Sequence, residues 1–283
     1  MTQGYVTLAV DTESGIEIKQ AVTLAISLKM ADPSREVCLL TDKFSTVPKK
    51  YEGVFDYIVE FPYGNFDTTE DGLINIWQLY YSTPFDQTLY IDRRSLVLSN
   101  TVQSMWDTFE HEDYVFSKSV SNFRGERISM KHSFYIHERN EIPTFYTNVF
   151  YFNKSERSMQ FFKMLDVTLK DFRRVYLQQL SSNRPAYFDL NLIINLTIKM
   201  LGETTSIHGH IPYTLISLDN ILTDDEDLPS DWVEYLSHWM SNDILKINNH
   251  RQTGIVCYNS NNFLDEEIIN DYRKRYSISK INI

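Results

Sequence analysis

The chain has 283 residues, of which 42% are apolar and 14% aromatic, and its 27 Lys plus Arg against 38 Asp plus Glu give a net charge of -11. Such a chain buries a sizeable core and lies far from the low-hydrophobicity, high-charge signature of disorder. An acidic total argues against non-specific adhesion to DNA or to an anionic membrane, because phosphate binding needs Lys and Arg to displace counterions, though it leaves room for a local basic patch.

Two cysteines, Cys38 and Cys257, supply neither a disulfide framework nor a cysteine-rich zinc site. No stretch approaches the ~18 apolar residues that span a bilayer, and MTQGYVTLAVD carries no charged region ahead of an apolar one. The expectation is a cytoplasmic protein that does not enter a membrane.

In chain order, YVTLAV (5–10) reads as a strand ending at Asp11. Residues 16–30 place Ile18, Ala21, Val22, Ala25, Ile26 and Met30 at helical spacing, with Thr12 or Ser14 as candidate caps. EVCLLTD (36–42) is a second strand, and FDYIVEF (55–61) alternates like an outer one. DGLINIWQLYYS (71–82) reads as a helix stopped by Pro84, and TLYID (88–92) as a buried strand. Strands alternating with helices imply a largely parallel sheet whose crevice lies beyond the carboxyl strand ends. Asp11, Asp42 and Asp92 fall at that edge, although Asp is also a common loop-opening residue.

The second half differs in texture. PTFYTNVFYFNKS (143–155) is a strand pair or one long strand, and residues 155–180 form a helix with Phe161, Phe162, Leu165, Leu169, Phe172 and Leu180 along one face. FDLNLIINLTIKML (188–201) is a helix closed by Gly202. LTDDEDLPSDW (222–232) reads as a solvated loop, and DEEIINDYRKRY (265–276) as a terminal amphipathic helix.

No phosphate loop, dinucleotide glycine fingerprint, HExxH or GxSxG is present, which removes several enzyme classes. What stands out is LYIDRRSLVLSN (89–100), where Asp92-Arg93-Arg94 interrupts an apolar run. The succession YVTLAVD, LAISLKM, EVCLLTD and STPFDQTLYIDRRSLVLSN, followed by FYTNVFYFNKSE and RPAYFDLNLIINLTIKML, resembles GT-A glycosyltransferases, particularly glycosyltransferase family 8 and its relatives in tailed-phage genomes. The resemblance runs over roughly residues 5–201, with a weaker echo in INNHRQTGIVCYN (247–259).

That resemblance implies an α/β fold with a mostly parallel central sheet and a single domain over 1–283, its nucleotide-sugar half at 1–115 and its acceptor side at 116–283. It implies a hexosyl- or pentosyltransferase moving a sugar from a nucleotide-sugar donor, UDP-linked, to a hydroxyl acceptor with retention of configuration. The acceptor would be a saccharide or a hydroxymethylated base in phage DNA, and a phage-encoded protein would act in the host cytoplasm. By the same resemblance Asp11 and Thr12 lie against the uracil and ribose, with Asp42 behind them. Asn75 and Trp77 contact the donor, Asn148 touches the donor sugar, and Asp189 with Arg184 binds sugar hydroxyls or acts near the anomeric carbon. Asp189 is equally a helix N-terminal acid.

In most relatives Asp-x-Asp holds a divalent Mn or Mg ion with a late histidine, here His250, while Arg251 and Gln252 could meet the diphosphate. This chain keeps Asp92 and has Arg94 at the second acid. Three readings stay open. Arg93 and Arg94 replace the metal, since Arg is permanently charged and binds phosphate in a bidentate manner. Alternatively, the motif is degenerate and the protein is a catalytically impaired binding or structural GT-A relative. Otherwise the arginines cap a strand end and pair with acids. His208 and His210 form the one close histidine pair, which without a third ligand is weak as a metal site. The segment 116–139 is the most basic part of the chain and interleaves Phe and Tyr, which suits a phosphate-rich or planar acceptor or an ordinary solvated excursion.

Overall fold

A computed structural model describes residues 1–10, 15–42, 47–65, 73–128, 136–181, 184–185, 187–203, 209–217, 231–241, 244–264 and 266–281. The first strand, β1 (Gln3–Leu8), leads through α1 (Ile16–Ala31) to β2 (Glu36–Thr41), and α2 (Lys49–Glu52) precedes β3 (Tyr57–Glu60). A 3-10 turn (Leu73–Gln78) and α3 (Leu79–Ser82) lead into β4 (Gln87–Ile91), which bends at Asp92 into β5 (Ser95–Val97). After α4 (Ser104–Phe109) come β6 (Tyr114–Ser117) and β7 (Tyr146–Asn153). The helices α5 (Glu156–Lys170), α6 (Phe172–Gln179) and α7 (Leu190–Met200) follow. The chain continues through β8 (Thr214–Ile216), β9 (His238–Ser241), β10 (Ile244–Ile247), β11 (His250–Arg251) and β12 (Ile255–Tyr258) to α8 (Glu266–Ile281).

The central sheet has the order β3-β2-β1-β4-β7-β6. Its first four strands are parallel, whereas β7 is antiparallel to both β4 and β6. The expected outer strand is indeed the edge strand β3. β7 and the second half of β6, from beyond residue 115, complete this sheet. Small sheets β5-β12-β8 and β11-β10-β9 are built beside it. Parallel strands covered on both faces read as near-continuous apolar runs, which is why VTL and CLLT lack alternation.

One face packs α1 and α4, with Leu24, Ala25 and Leu28 against Val37, Leu39 and Ile91. The other packs α5 and α7, where Phe161, Phe162 and Leu165 meet Tyr90, Phe150 and Phe152. Each such aromatic or leucine side chain contributes roughly 1.5–3 kcal/mol on burial. Among the described residues no helix is long and apolar enough to cross a membrane.

Two expectations need correction, and one open choice is decided. Residues 155–180 are two helices, because Asp171 leaves the helical region at φ -130°, ψ 40° and redirects the chain so that Tyr176 and Leu180 are buried. Of the two readings of 143–155, the single long strand holds, as the eight-residue β7. The helix read over 71–82 is, from residue 73 on, mainly a 3-10 turn, whose three residues per turn set Asn75 over Gln78. The N-cap of α1 is Gly15 at φ 64°, a left-handed conformation that costs glycine little. Gly202, at φ 72°, closes α7 as expected, its N–H donating to Lys199 O at 3.0 Å.

Candidate active site

The sheet changes its direction of winding between β1 and β4, since β2 and β3 build outward from one side of β1 and β4 from the other. Ligand crevices of open α/β sheets lie at such a point, outside the carboxyl strand ends. Asp92 directly follows β4, and Asp42 directly follows β2. Alternation from Tyr90 and Leu40, which share one core face, carries both acids to that face. Asp11 and Thr12 lie outside the described residues.

Asp92 is nearly buried and is the hub of the site. Its Oδ1 accepts from the Arg94 backbone N–H at 2.8 Å and from Arg94 Nε at 3.4 Å. The Asp92 N–H donates to Asn148 O at 2.8 Å, which ties the bend to β7. Burial works to raise the Asp92 carboxyl, but the charges of Arg94 and Arg93 and the two bonds from Arg94 outweigh it, so the group is held below the usual carboxylate range. Arg94 remains on the rim, its side chain 20% exposed, and Nη1 reaches Asn259 Oδ1 at 3.5 Å. Arg93 is only 1% exposed. Asn148 Oδ1 accepts from Tyr213 OH at 3.2 Å.

The floor is braced from α7. Asn191 Oδ1 accepts from the N–H of Thr147 at 3.1 Å and also from its hydroxyl, next to Asn148. Asp189 caps α7 by accepting from Leu192 N–H at 3.0 Å, so the helix-terminus role read from sequence is realised two residues from that brace. The backbone carbonyl of Pro143 accepts from His137 Nδ1 at 2.7 Å, which assigns the ring proton to that nitrogen. Burial pushes the His137 imidazole down, partly opposed by the Pro143 carbonyl and the Asp189 charge.

A second polar group lies beside β2. Asn65 Nδ2 donates to Asp42 Oδ2 at 3.2 Å, Asn75 Nδ2 donates to Asn65 Oδ1 at 2.7 Å, and Gln78 Nε2 donates to Asn75 Oδ1 at 3.0 Å. Asn75 thereby joins Asp42. Trp77 is packed instead in the core, stacked on Tyr63 at 5.2 Å with the Lys170 ammonium 4.6 Å from its ring.

Four predicted residues lie apart from Asp92. Arg184 is exposed and donates to Leu180 O and Leu177 O, closing the end of α6. His250 and Arg251 form the exposed strand β11. Tyr258 N–H meets Arg94 O, whereas Gly254 meets Leu98, four residues up the antiparallel pair and hence about 13 Å away at the usual strand rise. His250 lies beyond that point, its ring edge on Phe123, and Gln252 Nε2 donates to Phe123 O at 2.8 Å. The late segment that does reach Asp92 is Cys257-Tyr258-Asn259. Of the pair His208 and His210, the first lies outside the described residues and the second accepts at Nδ1 from Lys118 N–H.

Sequence reasoning missed Tyr213, Asn191 and Asn259. Nothing in the spacing of IPYTL marks Tyr213, but the apolar strand IVCY before Asn259 was a usable signal.

A divalent ion wants several hard oxygen ligands. Here Asp92 Oδ1 is engaged by Arg94, a cation stands two residues on, and burial pushes the Cys257 thiol up, so it stays protonated beside Ser95. Among the described residues no three His, Cys, Asp or Glu converge on a common point. Among the described residues this donor set does not fit a divalent ion.

No protein-family model matches the chain, and no curated protein matches it by sequence. Solved structures do. An active-site mutant of LgtC aligns with a TM-score of 0.53 at 12% identity, over 96% of this chain and 95% of that one. The galactosyltransferase LgtC in complex with donor and acceptor sugar analogues aligns with a TM-score of 0.51 at 12% identity, over 97% and 95%. The chain has the GT-A fold. In this fold the Asp92-Arg94 bend directly follows β4, at the carboxyl end of the parallel strands.

Proposed function

We propose that this GT-A chain is a glycosyltransferase that moves a sugar from a nucleotide-sugar donor, UDP-linked, to a hydroxyl acceptor with retention, without a divalent ion. The observation that carries the reading is Arg94, held by Asp92 and Asn259 on the rim of the crevice between β1 and β4. A departing diphosphate builds negative charge, and a pre-placed guanidinium stabilises that charge with little reorganisation. Asp92 orients Arg94 rather than binding a metal. Asn148 and Asp189 face the sugar, and the Asp42-Asn65-Asn75 group supports the nucleoside side.

The test is donor hydrolysis and thermal shift with a panel of UDP-sugars, with manganese and with chelator. Turnover or stabilisation unchanged by chelator supports the proposal, and no response to any nucleotide sugar overturns it. Adding a saccharide and a hydroxymethylcytosine DNA to the same assay separates the two acceptor classes.

A second reading, a GT-A scaffold that binds without turnover, is favoured by one observation: Asp92 Oδ1 is committed to Arg94. Nucleotide-sugar binding with no turnover in the presence of any acceptor would select it.

A further inference from the structure

Away from the crevice, the β9-β10-β11 ribbon presents a row that its fold does not need. Lys246 stands directly opposite both Trp239 and Arg251, so the three side chains share one face. The other face carries Leu245 and Ile247, both fully buried. Like charges directly opposite on paired strands are destabilising, yet Lys246 and Arg251 are placed so in a chain of net charge -11. Among the described residues neither forms an ion pair, whereas Lys29, Arg94, Arg157 and Lys170 all do. Trp239 is 45% exposed, with the Lys246 ammonium 5.0 Å from its ring.

We propose that this face binds an acidic saccharide: the Trp239 indole stacks on the apolar side of a sugar ring, and Lys246 and Arg251 take its carboxylates. Three adjacent strands span about 10 Å, on the order of two sugar rings. A nucleic acid fits less well. Two cations neutralise about two phosphates, and affinity for single strands scales with a salt slope of only ~0.7 per phosphate. The inference does not depend on the donor reading.

The measurement is tryptophan fluorescence. Trp77, Trp106 and Trp232 are buried, so of the four tryptophans Trp239 dominates the solvent-sensitive signal. Titration with hexameric oligogalacturonate is expected to shift that signal and to protect it from acrylamide, while the fully methyl-esterified hexamer binds about tenfold or more weakly, as loss of two charge contacts requires. Lys246→Gln and Arg251→Gln are expected to weaken oligogalacturonate binding to a similar extent while leaving the urea midpoint unchanged or slightly raised, since each relieves the opposed charges. Equal binding by these variants, no binding of oligogalacturonate at low salt, or tighter binding of oligothymidylate or of phosphatidylserine vesicles overturns the proposal.

Discussion

Asn191 accepts from both the backbone N–H and the hydroxyl of Thr147, and so fastens the first turn of α7 to the end of β7 beside Asn148. One turn further on, Asn195 is fully buried, accepts from Phe145 N–H and donates to Phe145 O, both at 2.8 Å. Two asparagines therefore hold a helix N-terminus against the strand that supports the Asp92 bend.

Asn195→Leu keeps the volume and leaves both Phe145 groups buried without these partners. Each orphaned group costs about 1–3 kcal/mol, so the urea midpoint should fall well below that of the parent. Asn191→Ala, at a half-buried position, should cost about 1 kcal/mol and should lower donor affinity through the loosened β7.

Gly4 is the second residue of β1, and an added Cβ there would lie 2.4 Å from the Phe85 ring. Gly4→Ala is expected to destabilise by about 1–3 kcal/mol through overpacking. Phe85→Leu should relieve part of that cost, so a double-mutant cycle between the two positions should show coupling rather than additivity.

The depressed Asp92 carboxyl makes a pH prediction. A lowered folded value contributes stability that is present above the ordinary carboxylate value of about 3.9 and is lost as pH falls through the folded value. Asp92→Asn should therefore be less stable than the parent at neutral pH, with the difference shrinking below about pH 4. Melting temperatures of both proteins from pH 3 to 8 check this, and a difference that does not change with pH contradicts it.

Arg94 is the position on which the mechanism turns. Arg94→Ala should lower donor turnover by about 10²–10³, the usual cost of removing one preorganised donor to a developing charge. Arg94→Lys should recover part of it, since an ammonium keeps the charge and loses the fork. Arg94→Asp should abolish chelator-resistant turnover; if it instead yields manganese-dependent turnover, the parent site is an altered metal site.

The order of elements was legible because each carries a local signal. Parallel buried strands show as YVTLAV and CLLT, and the helix of 188–201 shows an apolar period ended by a glycine that tolerates a left-handed turn. Asp42 and Asp92 were found because strand ends are readable. The helix break at Asp171 was not, since the apolar stripe continues across it and only packing of Tyr176 and Leu180 selects the bend.

By itself the sequence determined the α/β alternation, the acids at the strand ends and the Asp92-Arg93-Arg94 run that interrupts an apolar segment, because these depend on neighbours within a few residues. Only the tertiary structure decided which late segment meets Asp92. β12 pairs antiparallel with β5, and that register brings Cys257, Tyr258 and Asn259 to the bend and carries His250 to the other end. Strand pairing is a long-range choice made by packing and hydrogen bonding across more than a hundred residues, and no local pattern encodes it.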